Sequence, residues 1–173
     1  MRSFLTGLLL VLLLAGCELY GKIGGDDTNI AGALPVHLQG EWVFPAPGLP
    51  PAERYIITET TIQYIAYQES GVTSYRGTIV FISNWSSTAG VIIIRYIEGY
   101  YPTFPEFNGN SYFAIFYRIL GTNSVQLANA TILPDSPTSP DTATQEEAIA
   151  RFTRGRSGNY VGWGHVQAQW RVR

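Results

Sequence analysis

Few side chains in this sequence are placed to make or break bonds. The two histidines, His37 and His165, have no cysteine, aspartate or second histidine at ligand spacing, so neither suggests a metal site. His37 reads as a solvated residue at the end of a linker. His165 reads as a surface or rim position on a strand with polar neighbours. Serine and threonine are plentiful, but no Gly-x-Ser-x-Gly elbow exposes a nucleophile. The acids Glu53, Glu59, Glu69, Glu98, Glu106, Asp135 and Asp141 are scattered over expected strand ends and loops. Any two could be named a glycosidase pair, so the pattern selects none. The expectation is a non-enzyme with no catalytic residue, no metal and no cofactor.

Two groupings say more. Tyr96, Tyr100, Tyr101, Phe104, Phe107, Tyr112, Phe113, Phe116 and Tyr117 crowd into one stretch, with Pro102 and Pro105 among them. Such a loop between two strands could rim a barrel mouth and touch a hydrophobic or sugar ligand. Equally, the rings could be core and covering loop, since aromatics bury large areas in any setting. The second grouping is Arg151, Arg154, Arg156, Arg171 and Arg173, with no acid among them. They form either a basic patch for anionic headgroups or an acidic partner, or a solvated helix face and terminus.

The elements that must position these residues follow from composition. The chain has 173 residues, 46% hydrophobic but only 14% charged, which excludes a disordered, solvating polypeptide. A formal net charge of -2 argues against a nucleic-acid binder. One cysteine excludes a disulfide framework. Residues 1–16 have the layout of a secretory signal: Arg2, then an apolar run from Leu5 to Leu14, then Ala15 and Gly16. The run is too short for a membrane span, which needs about 20 residues.

Leu14-Ala15-Gly16-Cys17 resembles the bacterial lipobox. The resemblance covers the first 17 residues and implies a lipoprotein. In that family the Cys17 thiol takes a diacylglycerol, the chain is cut before Cys17, and palmitate-type acylation of the new amine follows. Two or more acyl chains anchor stably where one does not. The implied location is the cell envelope, and Glu18, where Asp would favour inner-membrane retention, points to the outer membrane. Residues 17–38 read as a flexible tether, rich in Gly and Asp without apolar period, spanning about 25 Å.

Residues 39–173 read as one mainly β domain. Strands are expected over Glu41–Phe44, Arg54–Thr58, Thr61–Tyr67, Ser74–Trp85 with a bend at Gly77, Gly90–Glu98, Ser111–Leu120, Ser124–Ile132 and Tyr160–Val172. These runs favour Ile, Val, Tyr, Phe and Thr. Thr144-Gln145-Glu146-Glu147 has capping-box spacing and opens a short helix over 144–154. Short turns favour a meander, and about eight strands escape their exposed edges by closing into a barrel, with the helix before the last strand.

Gly40-Glu41-Trp42 resembles the Gly-x-Trp opening of lipocalins and their calycin relatives. That resemblance implies that Trp42 closes one end of the barrel and that an arginine of the last strand, Arg171 or Arg173, packs across its indole. The late helix, Phe152-Thr153 and Tyr160-Val161-Gly162-Trp163-Gly164 also look like parts of spirochaete surface lipoproteins. The functional expectation is a lipid-anchored binding protein whose interior or aromatic rim holds a small hydrophobic ligand. The alternative is a structural lipoprotein that docks an envelope protein partner and holds no small ligand. Cys17→Ser is expected to move the protein from the membrane to the soluble fraction on cell fractionation. Persistence in membranes would count against the acyl anchor.

Overall fold

A computed structural model describes residues 31–46, 48–69, 71–100, 111–131 and 141–172. The β-rich segments form eight strands: β1 (Gly40–Phe44), β2 (Glu53–Ile57), β3 (Thr61–Gln68), β4 (Gly71–Asn84), β5 (Ala89–Tyr100), β6 (Tyr112–Gly121), β7 (Ser124–Asn129) and β8 (Gln169–Arg171). Each pairs antiparallel with its neighbours in chain order, and β8 returns to β1, closing an antiparallel barrel. One short helix, α1 (Gln145–Arg151), precedes the last strand.

Register fixes what points inward. Trp42 faces Tyr55, Tyr55 faces Tyr64, and Tyr64 faces Tyr75, so these side chains share one face. On β5 and β6 the same face carries Ile92, Ile94, Tyr96, Phe113, Ile115 and Tyr117. The long β4–β5 ribbon shifts register between Arg76 and Gly77 and again between Ile79 and Phe81. Bulges of this kind add the twist that curls a sheet onto itself.

The other face differs around the barrel. On β1–β4 it is mostly open to solvent, apart from buried Val43 and Ser83, and carries the ion pairs Arg54–Glu41 and, with β5, Arg76–Glu98. On β5–β7 it is apolar and covered. Val91, Ile93, Ala114 and Phe116 are buried beneath Ala148, Phe152, Tyr160 and Val161. Phe116 and Phe152 meet edge to face at 6.2 Å, and Trp85 lies 5.8 Å from Phe116. The doubly apolar strands β5 and β6 therefore separate two cores. Helix α1 is capped as its sequence implies: Thr144 Oγ1 accepts from Glu147 N at 3.1 Å. The returning bond runs from Ala143 N to Glu147 Oε2, one residue earlier than a reciprocal box places it. Helix α1 ends at Arg151, three residues short of the expected 154.

The expected final strand over Tyr160–Val172 is the main correction. Only Gln169–Arg171 is strand. Tyr160 and Val161 are drawn onto the outer core, and the chain then turns at Trp163–His165, with His165 N bonded to Gly162 O at 2.9 Å. Packing against the outer face overrides an alternation that Gly162 and Gly164 had already weakened. The expected tether is also tied down from Ala31 onward. Ala31 bridges Ser83, Gly32 N donates to Ile82 O, and Asn84 Nδ2 donates to Ala33 O.

Two side chains complete the short seam at β8. Gln169, fully buried, accepts from Leu127 N at 2.8 Å and donates to Leu127 O at 3.3 Å, standing in for a missing strand peptide. Arg171 lies 4.5 Å over the Trp42 ring and donates to the carbonyls of Gln39 and His37. Trp42 Nε1 in turn donates to Leu38 O at 2.8 Å.

Gln169→Ala is expected to cost about 2–4 kcal/mol in urea unfolding, because two buried backbone groups of Leu127 lose their partner. Gly90→Ala is expected to prevent native folding. Its Cβ would lie 2.2 Å from the Ser83 carbonyl oxygen and 2.6 Å from Tyr117 Oη. Recovery of a native circular-dichroism spectrum and melting transition for that variant would contradict the close approach described here.

Candidate functional site

Rings line the interior. Tyr55 and Tyr64 have centroids 4.8 Å apart, Tyr64 and Tyr75 5.3 Å, and Tyr75 and Tyr96 5.5 Å. Phe113 extends the belt, 5.6 Å from Tyr96. Alternating side-chain direction along each strand delivers one ring per strand to the same level. The belt is crossed by polar bonds. Tyr55 Oη and Tyr75 Oη both donate to Asn129 Oδ1, at 3.2 and 2.6 Å. Those residues come from β2, β4 and β7, which are not neighbours, so the bonds run across the lumen. Trp42, Tyr55, Tyr75, Tyr96 and Tyr117 are all almost fully buried. The middle of the barrel is filled by its own side chains.

The ends differ. One end carries short turns and the fully buried Leu38 of the turn before β1. The other carries the long connections. There a cleft of about 250 Å³ opens between β2–β3 and β7, with Glu53, Tyr64, Asn129, His165, Gln167 and Gln169 among its walls. That is smaller than the roughly 300–1,000 Å³ of pockets for drug-sized ligands. Burial pushes the Glu53 carboxyl above its ordinary value, and a hydrogen bond with Gln169 partly offsets this. No ion pair joins Glu53 to a basic side chain among the described residues. Tyr117 is pushed up to about 12 by burial, and its hydroxyl donates to Asn84 Oδ1.

The residues singled out in the sequence scatter. Tyr96 faces the lumen, whereas Tyr112 and Phe116 lie on the outer side of β6. Phe116 is buried beneath Phe152, and Tyr112 exchanges backbone bonds with Thr142. These three do not line one mouth. Tyr101, Phe104, Phe107 and Cys17 lie outside the described residues, as do Arg173 and the side chain of Tyr100. Trp42 and Arg171 meet, as described above. Of the remaining arginines, Arg151 pairs with Glu147, and Arg154 and Arg156 are exposed. His37 and His165 are exposed, each in a one-turn 3-10 segment. Among the described residues no three His, Cys, Asp or Glu side chains gather as metal ligands.

Sequence reasoning missed Asn129, Gln169 and Arg118. Asn129 offered a signal, being a polar residue at the parity that turns Val125 and Leu127 inward.

No family model matches the chain, and no curated protein or solved structure matches it either. The class that the fold defines is a closed, eight-stranded antiparallel barrel with a filled centre and a helix packed outside it.

Glu53→Gln is expected to raise stability at neutral pH and not near pH 4. A carboxyl raised in the folded state favours folding while protonated and loses that contribution as pH rises through its folded value. Urea unfolding of both proteins at the two pH values measures it. An equal difference at both would remove the titration from the account.

Proposed function

We propose that this protein is a lipid-anchored component of the cell envelope that works by docking on its outer surface rather than by carrying a molecule in its centre. The observation that supports docking is the filled lumen, where Trp42, Tyr55, Tyr75, Tyr96 and Tyr117 leave the core closed and Asn129 ties two of the rings across it. A small hydrophobic ligand would have to displace buried rings and break those bonds. Each such ring buries a large apolar area, so opening the centre is costly. Lipid anchoring rests on the Leu14-Ala15-Gly16-Cys17 motif and on the single cysteine of the sequence. The outer membrane is the proposed destination, by the argument from Glu18.

The surface offers material for contacts. Tyr67 and Val72 face each other on β3 and β4 and are 42% and 41% exposed. Trp170 and Val172 are similarly open at 42% and 37%. A second reading, a small ligand at the open end, is favoured by the cleft beside Glu53. Its walls set Glu53, Asn129, His165 and Gln167 beside Tyr55, Tyr64, Leu127 and Val166, which suits a small molecule with both polar groups and an apolar face.

Native mass spectrometry of the protein purified from its own cells, paired with crosslinking in intact cells, tests the proposal. The expected result is the acylated chain with no bound apolar molecule, and one recurrent protein crosslink. A stoichiometric apolar ligand surviving into the gas phase would overturn docking in favour of carriage.

A further inference from the structure

A second cleft lies on the outside of the barrel, away from the open end. It has a volume of about 240 Å³ and is lined by Trp85, Ser86, Ala89, Arg118, Arg154, Ser157 and Trp163. Three elements build it. The β4–β5 turn supplies Trp85 and Ser86, β6 supplies Arg118, and the segment after α1 supplies Arg154, Ser157 and Trp163. The Arg118 guanidinium sits 4.0 Å over the Trp163 ring, which holds a flexible cation in one place. Among the described residues neither Arg118 nor Arg154 forms an ion pair. In a chain with formal charge -2, two arginines without an ion pair among the described residues line one cleft with two tryptophans and make it locally positive.

Ala31, the first described residue, is bridged antiparallel to Ser83, two residues before Trp85 and close to the β4–β5 turn. That turn is also a wall of the cleft. The tether that starts at Cys17 therefore joins the barrel at Ala31, against the strand that leads into Trp85 and Ser86. If Cys17 is acylated, on which this inference rests, the cleft belongs to the side of the barrel turned toward the bilayer.

We propose that the Trp85–Arg118–Arg154–Trp163 cleft binds the phosphate of a membrane phospholipid headgroup and so orients the anchored barrel on its own membrane. Arginine suits this chemistry, because its planar fork donates two bonds to one phosphate group. Tryptophan suits the position, because an indole is favoured at the depth of headgroups. The volume lies below that of drug-sized pockets and matches a headgroup rather than a whole lipid. Trp85 and Trp163 also pack against the outer core, whereas Arg118 and Arg154 are exposed and packing does not call for them.

The test uses residues 18–173, which lack Cys17 and so carry no acyl group. All described contacts fall within residues 31–172, so the barrel is retained. Binding is read by co-sedimentation and Trp fluorescence on phosphatidylcholine vesicles with and without phosphatidylglycerol. Glycerol 3-phosphate and inorganic phosphate are titrated separately. The expected result is a blue shift and binding to the phosphatidylglycerol vesicles. Arg118→Ala and Arg154→Ala should each weaken it about fivefold, a cation at a membrane surface having about that effect. Arg156→Ala, exposed and outside the cleft, should have a smaller effect. An equal loss for Arg156→Ala would overturn the site in favour of diffuse charge attraction. Equally tight binding of free phosphate would overturn the membrane as its source. No binding to either would overturn the inference altogether. Absence of an acyl mass on Cys17 in cell-derived protein would defeat the anchor reading separately, without touching the vesicle result.

Discussion

Closure of the sheet at its shortest strand is the constraint on which the barrel depends. A sheet of eight strands with open edges would present unpaired backbone groups on both sides, and joining the last strand to the first removes them. Here the closing strand is only Gln169–Arg171, too short to do this by ladder bonds alone. Its side chains supply the remainder. Gln169 imitates a peptide group toward β7, while Arg171 reaches over Trp42 and caps the carbonyls of Gln39 and His37. Gly40, at a φ of 132°, lets β1 begin close under that guanidinium, where a Cβ would meet Arg171 Nη1 at 3.0 Å.

From closure follows the division of the molecule into two apolar compartments. The inner one is a ring belt tied across by Asn129, whose Oδ1 accepts from the hydroxyls of both Tyr55 and Tyr75. The outer one forms only over β5–β7, where the chain between β7 and β8 folds back with Phe152 and Tyr160 in edge-to-face contact at 5.0 Å. That connection leaves the sheet and returns only for β8, which explains why so little is left to make strand. The same excursion brings Arg154 and Trp163 over the β4–β5 turn, so the outer cleft is a by-product of how the barrel is covered.

Much of the architecture was legible in the residues. Seven of the expected strands coincide with β1 to β7 within a few positions, because Ile, Val, Tyr and Thr at alternate positions leave little choice once turns such as Gly121-Thr122-Asn123 are placed. The run over Val91–Ile94 is apolar at every position, and both of its faces are covered. The eighth strand was misjudged because the alternation from Tyr160 to Val172 fits a half-buried strand, while the actual demand on Tyr160 and Val161 comes from Phe152 and the outer face. The site was less legible. Tyr96 and Phe116 sit close in sequence but on opposite faces, and parity of two across a bulged ribbon cannot be counted through a loop. Arg118 drew no attention as a single charge in an apolar run. Its meaning comes from Trp163, which the chain brings to it from forty-five residues away.

The seam has a further consequence. Val172 N donates to Glu41 O at 2.9 Å, so the last described residue lies against the first strand. The β-structure is a ring of hydrogen bonds in which the start of β1 and the end of β8 are neighbours. Joining those ends and opening the exposed Thr58–Thr60 turn instead would rewrite the order of the strands along the polypeptide while leaving every pairing in the ring intact.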